Sequence, residues 1–430
     1  MLRIGLYGGI ANNMYIFSKS LINHKIDTIF IRDRTDRYPF SQPVWEDCKF
    51  TLNYGDLEKA SRWSWDKWNQ KENELNWKQP SYIFDPLIKN INNSVRLSNN
   101  NLYNIIFNYL LKKNRLWNPI INKIRECDLV IVCGIEGAII ASISNIPYII
   151  WPHGGDIRTA SGFHRPAGNI KNYIRHYFFS YLPLKKAYNN ALFIGSHDPT
   201  GVGCTVGRTI DSFPNTKFLK LPIPLKSESR LKREKRRMLL NKIISDIDIS
   251  IPEAKIIGFI PSRIDFYWKG HDILFESLNS LSNQKDIHLI ASGWGKDYLT
   301  AKNMLINNSV TFLPCALSKQ IVYNLYKASD FVIDQFVMGT YGTSAVEAMS
   351  FGAPVLMWIN NTFFQNLNWE PPPVINAKTK EEVLDKLNKI ISGEVDLEIE
   401  GQRCLDWVNR IHDEKKVISN LFSDLDSILN

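Results

Sequence analysis

The segment PSRIDFYWKGHDIL (261–274) carries two cations at a suggestive spacing. Arg263 follows an apolar run that reads as a strand, and Lys269 lies six residues on, beside Gly270, where a helical pattern begins. Cations at a strand's carboxyl end, next to the positive end of a helix, make an anion site. Arginine grips phosphate oxygens with two parallel bonds, whereas lysine acts as a point charge. The plainer reading is two surface cations. A second segment, DQFVMGTYGTSAVEAMSFGAPVLMW (334–358), sets Gly339 and Gly342 around a tight loop, with Thr343 and Ser344 as cap candidates for the helix that follows. Free backbone N–H groups of Gly342, Thr343 and Ser344 would face the same site. Glu347, in the first turn or so, suits a sugar diol, because a carboxylate accepts two hydroxyl hydrogen bonds; a helix-dipole partner is the alternative.

The first half of the chain offers fewer such groups. Gly8 and Gly9 follow the first strand and let backbone approach a ligand closely, unless they only turn strand into helix. His153 follows IPYIIW and precedes Gly154-Gly155-Asp156, which sets an imidazole at another strand end. A satisfied loop histidine explains it equally. Asp156 and Arg158 are weaker candidates. Some features are set aside: Asp246-Ile247-Asp248 sits in a polar connection, and Thr200–Gly203 lacks G-x-G-x-x-G spacing. The eight histidines form no H-x-x-x-H pair, so no metal is expected. Trp63, Trp65, Trp68 and Trp77 are read as helix packing in preference to sugar stacking.

The elements that must position these groups alternate. RIGLY (3–7), TIFIR (28–32), CDLVIVCG (127–134), IPYIIWP (146–152) and ALFIG (191–195) are short apolar runs, of the kind that strands buried on both faces of a parallel sheet show. Helical stretches lie between them, including 102–126, with Leu102, Ile105, Ile106, Tyr109 and Leu110 on one side. The apolar stretch Leu129–Trp151 contains Glu136, Asn145 and Pro147 and reads as a buried strand–helix–strand unit, not a membrane span. Leu221-Pro222-Ile223-Pro224 and the run Lys226–Arg237 read as a connection, the charges on a solvated helix face or linker. Alternation then restarts with strands at 254–263, 287–293, 310–314, 330–334 and 353–358, and ends in helices over 380–392 and 400–429. The fold class is therefore α/β: two tandem Rossmann-like doubly wound domains, with ligands at the carboxyl ends of the strands and in an interdomain cleft. The expected divisions are 1–222, 223–405 and a C-terminal helix at 406–430 that packs back on the N-terminal domain.

Composition sets the outer limits. With 430 residues, 44% hydrophobic and 22% charged, the chain is neither disordered nor a single ordinary core. Six cysteines without a C-x-x-C pair fit a reducing compartment and no disulfide scaffold. The N-terminus runs into glycines like a first strand, not a signal peptide. A net charge of +9 favours acidic partners. Nothing resembles a nucleic-acid recognition element, so nucleic acid is not an expected partner. Residues 170–187, IKNYIRHYFFSYLPLKKA, mix aromatics with Lys171, Arg175, Lys185 and Lys186. Such a surface can lie on an anionic membrane, or it is a core-facing helix with solvated cations.

Taken together, the strand-Arg…Lys-Gly segment and YGTSAVEAMSFGAPV resemble the GT-B glycosyltransferases, in particular the large retaining group of family 4. The likeness is strong over 255–358 and weaker at GGIANN (8–13) and WPHGGDIR (151–158). It implies that Arg263 and Lys269 bind a donor diphosphate and that Glu347 holds the nucleotide ribose. The backbone of Gly342, Thr343 and Ser344 would cradle phosphate and sugar, Leu313 and Pro314 would lie near the base, and His153 would contact the donor sugar. Gly8 and Gly9 would also face the donor, with Asp156 and Arg158 on the acceptor side. One departure stands out. The family usually has a glutamate eight positions before Glu347, where this chain has Gly339, and the nearby Asp334-Gln335 pair is a substitute polar contact.

The implied reaction moves a sugar from a nucleotide-diphosphate donor to a hydroxyl of a glycan or lipid-linked saccharide, in bacterial surface polysaccharide synthesis. It would be retaining and need neither metal nor cofactor. The expected location is the cytoplasm, with an anionic inner membrane face as a further partner the pattern allows. The alternatives are a sugar-nucleotide epimerase or hydrolase, and a non-catalytic subunit that binds sugar nucleotide without turning it over.

Overall fold

Apolar runs of three to six residues become parallel strands here because both faces of each sheet are covered by helices. The computed structural model describes residues 2–9, 12–36, 38–53, 63–86, 95–98, 101–152, 154–162, 168–199, 206–306 and 308–429. Its strands run, in chain order, β1 (Arg3–Tyr7), β2 (Asp27–Ile31), β3 (Thr51–Asn53), β4 (Ile83–Phe84), β5 (Leu129–Val132), β6 (Tyr148–Ile150), β7 (Phe193–Ser196) and β8 (Lys217–Lys220). There follow β9 (Ile256–Ile260), β10 (Ile287–Ser292), β11 (Val310–Leu313), β12 (Cys315–Leu317), β13 (Phe331–Ile333), β14 (Val355–Met357) and β15 (Ile375–Asn376).

The chain divides into two units. The first comprises Met1–Pro43, Trp63–Pro224 and Val417–Asn430, and the second Val44–Arg62 and Leu225–Lys416. In the first unit a parallel sheet runs β4-β2-β1-β5-β6-β7-β8, and in the second β11-β10-β9-β13-β14-β15. Each has a doubly wound order, with a reversal beside its first strand. Val44–Arg62, within the span 1–222 read as the first domain, groups with the second unit, and the reason is a strand pair. β3 pairs antiparallel with β12, and Phe50 N–H donates to Ser318 Oγ at 3.0 Å.

The apolar stretch Leu129–Trp151 resolves into β5, the helix Gly134–Ser144 and β6. Among the described residues no helix is long and apolar enough to cross a membrane. The tryptophans pack: Trp68 is fully buried against Trp63, and Arg34 lies 4.1 Å above the Trp65 ring.

Three expectations are corrected. The pattern over 102–126 breaks at Asn114–Leu116 into helices Leu102–Lys113 and Trp117–Ile124. The buried side of the first is Ile106, Phe107, Leu110 and Leu111, whereas Leu102, Ile105 and Tyr109 are exposed. Residues 400–429 likewise form two helices, Leu397–Ile411 and Glu414–Leu429. The basic run is not wholly solvated. Arg236 is 2% exposed and donates to Asp330 Oδ1 at 3.3 Å and Glu398 Oε1 at 2.6 Å. Arg237 reaches Asp330 Oδ2 at 2.6 Å, and Arg230 donates to the Gly352 and Asp330 carbonyls. These charge-assisted bonds tie the helix Arg233–Asp246 to the start of β13.

Candidate functional site

In the second unit β9 lies beside β13, and the strand order reverses there. Ligands of open α/β sheets sit outside the carboxyl ends of strands at such a point. The residues that leave β9 and β13 therefore define the candidate site. Asp265 caps the one-turn helix Phe266–Lys269, its Oδ1 accepting the Trp268 N–H at 2.9 Å. Arg263 Nε donates to Asp265 Oδ2 at 3.2 Å, and Lys296 stands 3.4 Å from Oδ1. Burial alone would push the Asp265 carboxyl up. The Trp268 N–H, Arg263 and Lys296 outweigh it and hold the group below the usual carboxylate range. Lys269 ends the same helix, so the two cations flank a single turn, roughly 6 Å of helix axis.

Lys269 pairs with Asp334, the residue after β13. Asp334 is fully buried, and its second oxygen has no hydrogen-bond partner among the described residues. That oxygen lies 3.7 Å from the Cβ position at Gly342, at the start of the helix Thr343–Ser350. This helix begins one residue earlier than expected, and its N-cap is Gly342, with no side-chain cap bond. Thr343 and Ser344 thus sit in the first turn and are not the caps. Arg263 and Lys269 thus flank one helical turn, each held by a carboxylate, and Asp334 joins Lys269 to the start of the helix Thr343–Ser350. Cations and a positive helix end beside a strand-order reversal are the chemistry that attracts an oxyanion.

His271 stitches the two strand ends together. Its Nδ1 accepts the Asp265 N–H at 3.3 Å and its Nε2 donates to the Asp334 carbonyl at 3.2 Å. Burial, with Lys269 nearby, pushes this histidine down from 6.5 to about 3. The folded form therefore leaves it neutral where the unfolded chain takes up a proton. Stability is lost as pH falls from about 6.5 towards 3, at up to about 1.4 kcal/mol per pH unit. His288, held near 4 by burial, adds to the same window. Melting temperatures measured between about pH 7 and pH 4.5 are expected to fall, and less steeply for His271→Gln, which keeps a donor and an acceptor. Parallel slopes would refute this account.

Glu347 is 1% exposed, and both its oxygens accept from Lys319 Nζ at 2.5 Å. Tyr323 approaches Oε1 at 3.5 Å. Burial works against the Lys319 charge, but Glu347 and Glu46 prevail and raise its pKa. Leu313 is buried at the end of β11 and Pro314 is exposed beside it.

Gly339 has φ +70, and a Cβ there would lie 3.1 Å from the Trp358 ring and from Asn360 Cβ. The left-handed backbone and these close contacts disfavour any side chain at this position. Gln335 is no substitute. Its amide donates to the Thr340 and Trp358 carbonyls, and its Oε1 accepts from Val337 and Met338 N–H, so it braces the loop from inside. Gly339→Glu is expected to destabilise the protein by roughly 2 kcal/mol or more and to leave turnover no higher than wild type. Higher turnover with an unchanged melting curve would refute the steric account.

In the first unit Gly8 has φ +130, and an added Cβ would fall 2.2 Å from Cys133 Sγ, so the chain leaving β1 passes too close to the residue after β5 for a side chain. Gly9 is packed beside Ser41 and Asp33. Asp156 is buried and accepts the Gly134 N–H at 3.1 Å, tying two helix starts together, and Arg158 is half-buried in the last turn of Gly155–Ala160. His153 and the 200–203 glycine stretch lie outside the described residues. Asp246 is paired with Lys49 at 2.7 Å. Sequence reading missed Lys319, Asp265, Lys296 and His271, and offered Asp334 only as one of a pair that could lend a polar contact; no motif marks any of them.

Residues 244–397 match the family of glycosyl transferases group 1. The chain resembles, in fold, the HepE protein of Anabaena solved with UDP-glucose, with TM-score 0.60 and 13% identity, over 99% of this chain and 100% of that one. A glycosyltransferase of Rickettsia africae gives 0.56 and 15% identity over 100% and 98%. Sucrose-phosphate synthase of Thermosynechococcus elongatus gives 0.57 and 9% over 99% and 100%. No curated protein matches in sequence. The fold is the two-domain GT-B fold, and the segment that matches glycosyl transferases group 1 holds the second unit's sheet from β9 to β15.

Proposed function

We propose that the protein transfers a sugar from a nucleotide-diphosphate donor to a hydroxyl of a glycan or lipid-linked saccharide in bacterial surface polysaccharide synthesis. The observation that carries this reading is that Arg263 and Lys269 flank one helical turn after β9, with Asp334 joining Lys269 to the start of Thr343–Ser350, inside the segment that matches group 1 transferases. Breaking the anomeric bond leaves an oxocarbenium-like sugar and puts charge on the departing diphosphate. Lys269 and Arg263 stand where that charge grows, and Asp334 and Asp265 fix them beforehand, so little reorganisation is needed. No side-chain nucleophile and no metal enters this scheme. Retention follows if the diphosphate takes the acceptor proton on the face it leaves. Uridine diphosphate is the first nucleotide to try, because HepE was solved with UDP-glucose. A thermal-shift screen of sugar nucleotides tests the reading. A ligand at about a hundred times its Kd stabilises the folded form by about 2.7 kcal/mol, a shift of several degrees. If no nucleotide diphosphate raises the melting temperature, the donor site is wrong.

A further inference from the structure

The helix Ile170–His176 in the first unit has no buried residue, although three of its seven residues are Ile or Tyr. Ile170, Tyr173, Ile174 and Tyr177 are 75, 44, 51 and 37% exposed, at helical spacing on one face. A second stripe, Leu102, Ile105 and Tyr109, is exposed on the helix Leu102–Lys113. The stripes meet where the Tyr109 and Phe179 rings lie 4.7 Å apart. Beside that contact a cavity of about 380 Å³ is lined by Tyr109, Lys113, Asn172, Arg175, His176 and Phe179. The helical path runs on without a break through Tyr177–Tyr181 to Leu182–Asn190, so this apolar face is held outward on a formed helix.

Charge says what would cover the surface. One residue in ten of the chain is Asp or Glu, yet 86–125 and 157–197 contain none. Within them Lys112, Lys113, Lys171 and Arg175 are exposed around the apolar stripes. We infer that this two-helix face seats the protein on an anionic lipid surface, with Ile170, Ile174 and Tyr173 dipping into the headgroup boundary and the cations, with the cavity, taking lipid phosphates. A second copy of the chain would set the same positive charge against itself.

The test is flotation of the whole chain with phosphatidylcholine vesicles, with and without about one third phosphatidylglycerol. Roughly tenfold more protein is expected on the anionic vesicles, with the difference shrinking in high salt. The pairs Ile170→Asp/Ile174→Asp and Lys171→Glu/Arg175→Glu should each abolish it without lowering the melting temperature, since these side chains are exposed. Equal binding to both vesicles, or wild-type binding by both pairs, overturns the inference. So does an absence of vesicle binding, whether the chain then binds heparin or forms a dimer that the isoleucine pair breaks. The thermal response to uridine diphosphate, measured on the same samples, reports on the donor site alone, so failure of one reading leaves the other standing.

Discussion

Lys269→Ala is expected to lower turnover at least about a hundredfold, the loss typical of one preorganised oxyanion donor. The variant will not leave the fold untouched. Lys269 is the ion-pair partner of Asp334, which is fully buried. Removing the cation strands that carboxylate, a change of about 3–5 kcal/mol in comparable buried pairs. Lost stability and lost catalysis would then coincide and prove little. The double variant Lys269→Met/Asp334→Asn separates them. It removes both charges, so the melting temperature should recover most of what the single change lost, while turnover stays down. Wild-type turnover in the double variant would mean that Lys269 serves only to neutralise Asp334. Arg263→Ala is the cleaner companion. Its side chain is 45% exposed and, among the described residues, it pairs with Asp265, which keeps Lys296 and the Trp268 N–H. The same hundredfold loss is expected there with a nearly unchanged melting curve.

Much of this frame could be read from residue order. Runs such as IIGFI and LVIV are apolar without alternation, so strands covered on both faces were the economical reading, and the parallel sheets follow. Arg263 and Lys269 were legible because only six residues separate them, on either side of one helical turn. What stayed hidden depends on pairs brought together from afar. Asp334 is 65 residues from Lys269, and Lys319 is 28 from Glu347. Three residues of β3 meet β12 across more than two hundred and fifty positions, too short a strand to announce itself. The helix LYNIIFNYLLKK is apolar nearly all round, so periodicity alone could not decide which side faces the core. The missing glutamate was visible as Gly339, but the left-handed backbone against Trp358 that disfavours a side chain there exists only in three dimensions.

Glu347 poses the sharper chemical question, because its carboxylate is already engaged. Each oxygen offers two acceptor positions, and Lys319 uses one on each. At 1% exposure, however, a ribose diol reaches the carboxylate only if the ammonium shifts from at least one oxygen. Two bonds from neutral hydroxyls then replace one from a cation, so the net gain is small. Uridine diphosphate is therefore expected to bind only about tenfold better than its 2′,3′-dideoxy analogue, about 1.4 kcal/mol, and not the far larger ratio of a site whose acceptors wait empty. Glu347→Gln should bring that ratio close to one, because a neutral amide has a single acceptor oxygen and Lys319 loses its counter-charge. The change also lowers the melting temperature, so both Kd values must be measured by calorimetry well below the transition. If Glu347 is purely the partner of Lys319, the variant will lose stability while the wild-type ratio is already near one. A wild-type ratio near ten that survives Glu347→Gln would instead move ribose recognition to another residue.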